Sequence, residues 1–202
     1  MSSREDLRAR RRRETAREIH LVALRLARDR GFDAVTVEAI SAEAGIAPRT
    51  FFNYFPTKEA AVVVGLPALT EDRGTAFAAG VSQPRARVLV ELVELLADLF
   101  TGEMPSRGEM YDVFSVAREN PSVFAAMLAQ LEAFQRGVGE LVARRLDSAA
   151  DDEVAALIAA MAMTILRSGL DRWMNSAPEP DDDPVRHIAR AAALVQEIFA
   201  ER

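Results

Sequence analysis

Seven side chains between Thr36 and Lys58 could recognise a ligand without making or breaking a bond: Thr36, Pro48, Arg49, Thr50, Asn53, Tyr54 and Lys58. Arg49 offers a planar fork of donors that matches guanine O6 and N7. Asn53 offers the donor and acceptor that match adenine N6 and N7. One good bidentate pair discriminates between bases by roughly 1–3 kcal/mol. Thr50 and Tyr54 could reach a base or a phosphate. Thr36 and Lys58 stand at candidate helix starts, where free backbone N–H groups and a positive charge suit a phosphate.

Bond-making chemistry finds less support. The chain has no cysteine, which excludes disulfides, thiolate zinc sites and a cysteine nucleophile. Its two histidines are His20 and His187. A di-metal helical bundle needs Glu-x-x-His pairs, but Arg17 and Pro184 occupy the positions three residues before them. Asp183 and His187 are spaced to touch one ion, or equally to form a polar pair at a loop edge. No phosphate-binding Walker loop, G-x-S-x-G elbow or H-E-x-x-H helix occurs. No catalytic residue, metal ligand or cofactor is assigned. A helical-bundle enzyme and an adaptor that binds only protein stand as the alternatives to a DNA reader.

The elements that would position these side chains are helices. Alanine and leucine abound, and strand-like alternation is missing over any useful length. Residues 9–30 read as a first helix with Ile19, Val22, Ala23 and Leu26 on one face, ended by Gly31. A second helix is expected at 37–44 behind Thr36 as N-cap. Gly45 supplies the positive φ of a tight turn. A third helix is expected at 48–54, opened by Pro48 and stopped by Pro56, and a fourth begins at Lys58 behind Thr57. Ile40, Ala44, Ile46, Phe51 and Phe55 would form a small core that leaves the seven candidates outside. This is how a second helix is offered to a major groove.

Charge agrees in sign. Residues 1–60 carry 12 basic and 9 acidic side chains, and residues 61–202 carry 13 and 22. A basic head suits a polyanion, although a solvated arm has the same composition. Arg10 to Arg13 could track phosphates near the minor groove, or form such an arm. Arginine abundance is weak evidence by itself, because 24 of the 25 basic residues are Arg.

Residues 36–60 resemble the helix-turn-helix of TetR-family transcriptional regulators. The matching positions are Thr36, Ile40, Ala44, Gly45, Thr50, Tyr54, Phe55, Lys58 and Glu59, and ARDRGFDAVTV before them is similar to the end of the family's first helix. The resemblance implies an all-α fold, with an N-terminal three-helix helix-turn-helix domain at 1–64 and a C-terminal ligand-binding and dimerisation bundle at 65–202. Three positions depart from the pattern. Ser41 replaces an alanine of similar size. Ala47 replaces a capping serine, which costs about 1 kcal/mol. Phe52 replaces a tyrosine that would hold phosphate, so Phe52 is left out of the interface.

Gly65, Pro67 and Gly74 mark the expected hinge between the two domains. Helices are expected beyond it at 70–79, 84–101, 106–118, 121–147, 152–174 and 184–200. A narrow polar stripe of Glu91, Glu94, Asp98 and Thr101 marks 84–101 as central. The apolar run Val154–Met163 must be covered on both sides. It is ten residues long, against roughly 20 for a membrane span, so a cytoplasmic protein without a membrane is expected.

The family resemblance implies a homodimer through the last two long helices. Ala155, Ala159 and Ala162 would let a partner approach, beside Ile188, Ala192, Val195 and Phe199. It also implies a small-molecule effector in the central helices. Met110, Tyr111, Phe114 and Phe124 are candidate pocket residues, with Met127, Leu131, Phe134 and Trp173. Such Met- and aromatic-rich interiors adapt to hydrophobic ligands, and the same residues could be ordinary core. The segments at 47–62 and 119–146 are together similar to one branch, the mycofactocin-system regulators. That branch implies an acyl-CoA-like effector, with Arg118, Arg144 or Arg145 available to a phosphate or carboxylate.

Overall fold

Residues 2–63, 71–101, 105–177 and 183–200 are described by the computed structural model of the chain. Apart from one 3-10 turn at Phe32–Ala34, every regular element among them is an α-helix. In order these are α1 (Ser2–Arg30), α2 (Val37–Glu43), α3 (Pro48–Phe51), α4 (Lys58–Val62) and α5 (Glu71–Ala78), followed by α6 (Arg85–Asp98), α7 (Arg107–Glu119), α8 (Pro121–Leu146), α9 (Glu153–Asn175) and α10 (Pro184–Ala200). The expected Gly65 and Pro67 of the hinge, Met104 and residues 178–182 lie outside the described residues.

The expected punctuation operates as chemistry. Thr36 Oγ1 accepts from Ala39 N at 3.1 Å, and Thr57 Oγ1 accepts from Ala60 N at 3.2 Å. Asp183 Oδ1 accepts from Val185 N at the head of α10. Gly31 and Gly45 take φ of 79° and 67°. Ala47 makes no side-chain cap bond, as its methyl requires. Three helices differ in length from expectation by three residues or more, and of these α6 stops at Asp98 instead of 101. α1 starts at Ser2 because no glycine or proline interrupts the first thirty residues. α3 ends at Phe51, and 52–54 tighten into turns that bond Asn53 N to Thr50 O and Tyr54 N to Phe51 O. Pro56 disfavours helical backbone at the residue before it.

The chain sorts into two compact units, divided near residue 65 and again after residues 104 and 130. The first comprises residues 1–65 with 105–130, and the second 66–104 with 131–202. The interior of the first unit gathers Ile19, Ala23, Phe32, Ile40, Phe51 and Val62 from the head with Val113, Val116, Ala117 and Val123 from α7 and α8. The α7 periodicity drives this: Val113 and Val116 share a face with Glu109 and Asp112 and turn it to α1. Arg17 pairs with Glu109 at 3.1 Å, and Arg28 pairs with Asp112 at 2.9 Å. Ser106 and Glu109 close a capping box at the start of α7.

The second unit packs α6, α9 and α10 on one another, with α5 on α6. Its core includes Val88, Leu92, Leu96, Val138, Leu141 and Val142. Ala155, Ala159 and Ala162 are at most 1 % exposed and Ile188 is fully buried, all in this core. The expectation that these four face a partner is therefore corrected: the small-residue face of α9 is covered by its own unit. A close approach lies further along, at Gly169, where a Cβ would stand 2.5 Å from Ile188 Cα. By composition α9 is long and apolar enough to cross a membrane, and its inner face is core.

Candidate nucleic-acid interface and cleft

Phe51 anchors α3. Its ring is fully buried, with Ile40 beside it in the head core and Ala44, Ile46, Tyr54 and Phe55 packed partly buried around them. That phase leaves Pro48, Arg49 and Asn53 exposed, and Thr50 half-buried. The expected readers thus stand outward, Pro48 and Arg49 on a helix held from beneath and Asn53 in the turn that follows it. Phe52 is also outward, 58 % exposed and edge-on to Phe51. Its missing hydroxyl removes one phosphate contact, but an exposed ring there could still meet a thymine methyl.

Lys58 is placed differently from a phosphate ligand. Its ammonium donates to Val35 O at 2.9 Å and Phe32 O at 3.2 Å, and lies 4.3 Å from the Phe32 ring centre. It ties α4 to the 3-10 turn that follows α1. Thr36 is exposed with its oxygen engaged as a cap, which leaves the hydroxyl proton for a phosphate. Tyr54 is half-buried under the guanidinium of Arg12, 5.1 Å from its ring centre.

Two polar groups beneath the surface lack partners among the described residues. Ser41 is fully buried, and its hydroxyl has no hydrogen-bond partner. The size match to alanine thus hides a desolvated hydroxyl. Ser41→Ala is expected to raise stability by about 1 kcal/mol, read as a higher urea midpoint with an unchanged m-value. A lower midpoint would show that the hydroxyl is satisfied.

His20 is the second. Nδ1 donates to Ala61 O at 2.9 Å, and buried Nε2 has no partner. Burial pushes the imidazole below its ordinary 6.5, against the opposing pull of the Ala61 carbonyl and Glu109. The unfolded chain binds this proton more readily than the folded one. The contribution to stability is therefore complete above 6.5 and is lost as pH falls from 6.5 through the lower folded value. Between pH 7.5 and 5.5 the wild type should lose stability more steeply than His20→Gln, whose amide keeps the donor to Ala61. Parallel pH profiles of the two would contradict this. Glu109 stays ionised below the ordinary glutamate value: burial raises it, but Ser106 and Arg17 outweigh that.

The expected pocket residues divide. Tyr111, Phe114, Phe124 and Met127 line one cleft of about 530 Å³ within the first unit, together with Ser115, Ala117, Arg118 and Pro121. The others lie outside that lining. Met110 is half-buried and Leu131 exposed, Phe134 packs on the core of the second unit, and Trp173 is buried. Arg145 is no ligand group. It is 5 % exposed and donates to Phe77 O at 2.8 Å, to Val81 O at 2.9 and 3.1 Å, and to Glu91. Sequence periodicity missed the roles of Arg12 and Arg145, because both depend on contacts far along the chain. Among the described residues no group of three His, Asp or Glu side chains is placed to hold a metal.

A Gly-turned helix pair with its second helix pinned by Phe51 and its donors outward defines a helix-turn-helix protein. Residues 19–62 match the model of bacterial regulatory proteins of the tetR family, and residues 111–200 match the MftR C-terminal domain. The chain is a TetR-family regulator. Among solved structures it is similar to a putative TetR-family transcriptional regulator from Mesorhizobium loti, at 14 % identity and a TM-score of 0.48, covering 93 % of this chain and 98 % of that one. It is also similar to Thermus thermophilus FadR, a TetR-family transcriptional repressor in complex with lauroyl-CoA. That likeness has 24 % identity and a TM-score of 0.41, and covers 90 % of this chain and 93 % of the other. No curated protein matches the chain.

Proposed function

We propose that the protein is a homodimeric, cytoplasmic repressor that reads a palindromic operator with α3 and is released by a small effector. The observation that carries this reading is the exposure of Arg49 on α3 and of Asn53 in the turn that follows it, a segment fixed by Gly45 and Phe51. One such helix covers too little DNA for tight specific binding, so two are needed about one turn of the duplex apart. Apolar side chains suited to a second copy stand outward on α9 and α10: Leu157, Leu194, Ile198 and Phe199 are 39–67 % exposed. Val195 and Ala192 are half-buried beside them. This set replaces the buried alanines and Ile188 as the expected dimer surface.

The cleft is the effector site in this reading. α7 carries Tyr111, Phe114, Ser115 and Arg118 on the face that lines it, and Glu109, Asp112, Val113 and Val116 on the face bound to α1. An occupant that shifts α7 therefore acts on α1, and a coupling of about 1–3 kcal/mol suffices for a useful response. The apolar walls with one arginine suit a molecule with an acyl chain and an anionic end. An acyl-CoA-like effector is what the resemblance to the mycofactocin-system regulators implies, and these walls accord with it.

Selection of bound duplexes from a random library tests the reading. The expected product is a two-fold-symmetric consensus, and Arg49→Ala should erase preference at one position of each half-site, a loss of roughly 1–3 kcal/mol. Retention of unrelated sequences alone would refute sequence-specific regulation.

A further inference from the structure

The stretch Arg10–Arg13 reads as four equivalent cations, but the structure separates them. Consecutive residues of a helix point about 100° apart, so a run of four cannot share one task. Arg10 is paired with Glu14 at 2.7 Å, one turn along α1. Arg11 and Arg13 are exposed. Arg12 is bonded to the recognition segment. Its Nη2 donates to Asn53 O at 2.7 Å, and its guanidinium lies 5.1 Å from the Tyr54 ring centre.

The Asn53 carbonyl needs that donor. α3 ends at Phe51, and the amides of Asn53, Tyr54 and Phe55 close back on Thr50 O and Phe51 O, which leaves Asn53 O beyond the last of these turns. The residue three beyond Asn53 is Pro56, which has no N–H. The next is Thr57, whose φ of −146° and ψ of 165° are extended, and which caps α4. Neither returns a backbone bond to Asn53. A side chain from α1 fills the position. The residues so held are the candidate adenine reader and its neighbour.

We infer that Arg12 is a positioning residue for DNA recognition: it fixes the Asn53–Tyr54 turn and thereby aims the Asn53 side chain, instead of anchoring a phosphate. The inference rests on the proposed DNA reading and adds a residue to it. A guanidinium suits the task because its planar fork can donate at the edge while its face lies against an aromatic ring.

Salt dependence separates the two roles. Each phosphate contact contributes about 0.9 to the slope of log affinity against log salt, whereas a positioning contact contributes none. The test measures wild type, Arg12→Ala and Arg12→Gln on the selected duplex and on a random duplex from 50 to 300 mM salt. Arg11→Ala serves as an arm control. Arg12→Ala should weaken binding to the selected duplex by about tenfold, with the random-duplex affinity and the slope of the wild type. Arg12→Gln carries the same charge as Arg12→Ala but can donate to Asn53 O, so it should recover part of the preference. Circular dichroism confirms the fold of each variant, and Arg12 is exposed, so its loss opens no cavity.

Equal weakening on both duplexes, with a shallower slope and no rescue by glutamine, would overturn the inference and make Arg12 a phosphate anchor. Arg12 variants that bind both duplexes like wild type would overturn it as well. Both results leave the DNA reading standing. A wild type that shows no preference between the duplexes defeats the DNA reading itself, and this inference with it.

Discussion

Gly169→Ala is expected to lower the thermal midpoint by roughly 6 °C. A glycine inside a long helix ordinarily gains about 1 kcal/mol when replaced by alanine. Here the added Cβ would stand 2.5 Å from Ile188 Cα, 2.7 Å from Ile188 N and 2.8 Å from Ile188 Cγ1. Two of those atoms are backbone, so no rotamer change relieves the overlap and α10 must move off α9. Overpacking of that kind costs about 3 kcal/mol, which outweighs the propensity gain. Melting at fixed protein concentration, to hold any oligomer constant, checks the sign. An alanine variant that melts at or above wild type would show that the two helices separate freely.

Arg145→Leu is expected to cost about 3 kcal/mol, read as a lower urea midpoint. The guanidinium is the donor to two main-chain carbonyls, at the end of α5 and just beyond it, and is the partner of Glu91. It also lies 4.6 Å from the Phe77 ring centre. Leucine fills much of the volume but leaves those acceptors without a donor. Breaking one side of a buried charge pair costs more than the pair contributes. Adding Glu91→Gln to Arg145→Leu should therefore return part of the loss, while the carbonyls at 77 and 81 keep the double variant below wild type. If Arg145→Leu unfolds at the wild-type midpoint, the network contributes nothing. Glu91 is held below the ordinary glutamate value by Arg87 first and Arg145 second. Its contribution is present above that ordinary value and is lost as pH falls through the lowered one.

The head was legible because its signals are local. Thr36, Gly45, Pro48 and Thr57 each act within four residues, and each performs the expected bond or turn, whereas α3 ends at Phe51, short of Pro56. Helical phase then placed Phe51 inside and Arg49 outside. What covers an apolar face is not a local property, and there the reading fell short. The alanines of α9 are apolar and small whether a partner or the chain's own α6 and α10 lie against them. Phase alone also cannot say that Arg12 meets the turn after α3. The pocket shows the same limit: Tyr111, Phe114, Phe124 and Met127 meet in one cleft, whereas Phe134, with identical spacing along α8, turns to a different core.

The sharing of an interior between the head and residues 105–130 bears on how such proteins can be recombined. A chimaera that grafts residues 1–64 onto a foreign body transfers Arg17 and Arg28 without Glu109 and Asp112. It also transfers one wall of a hydrophobic interior without Val113, Val116, Ala117 and Val123. Cutting at the obvious seam in the chain thus divides a folding unit. A transplantable reader of this type has to carry its α7 with it, and with α7 comes half of the surface that would sense the effector.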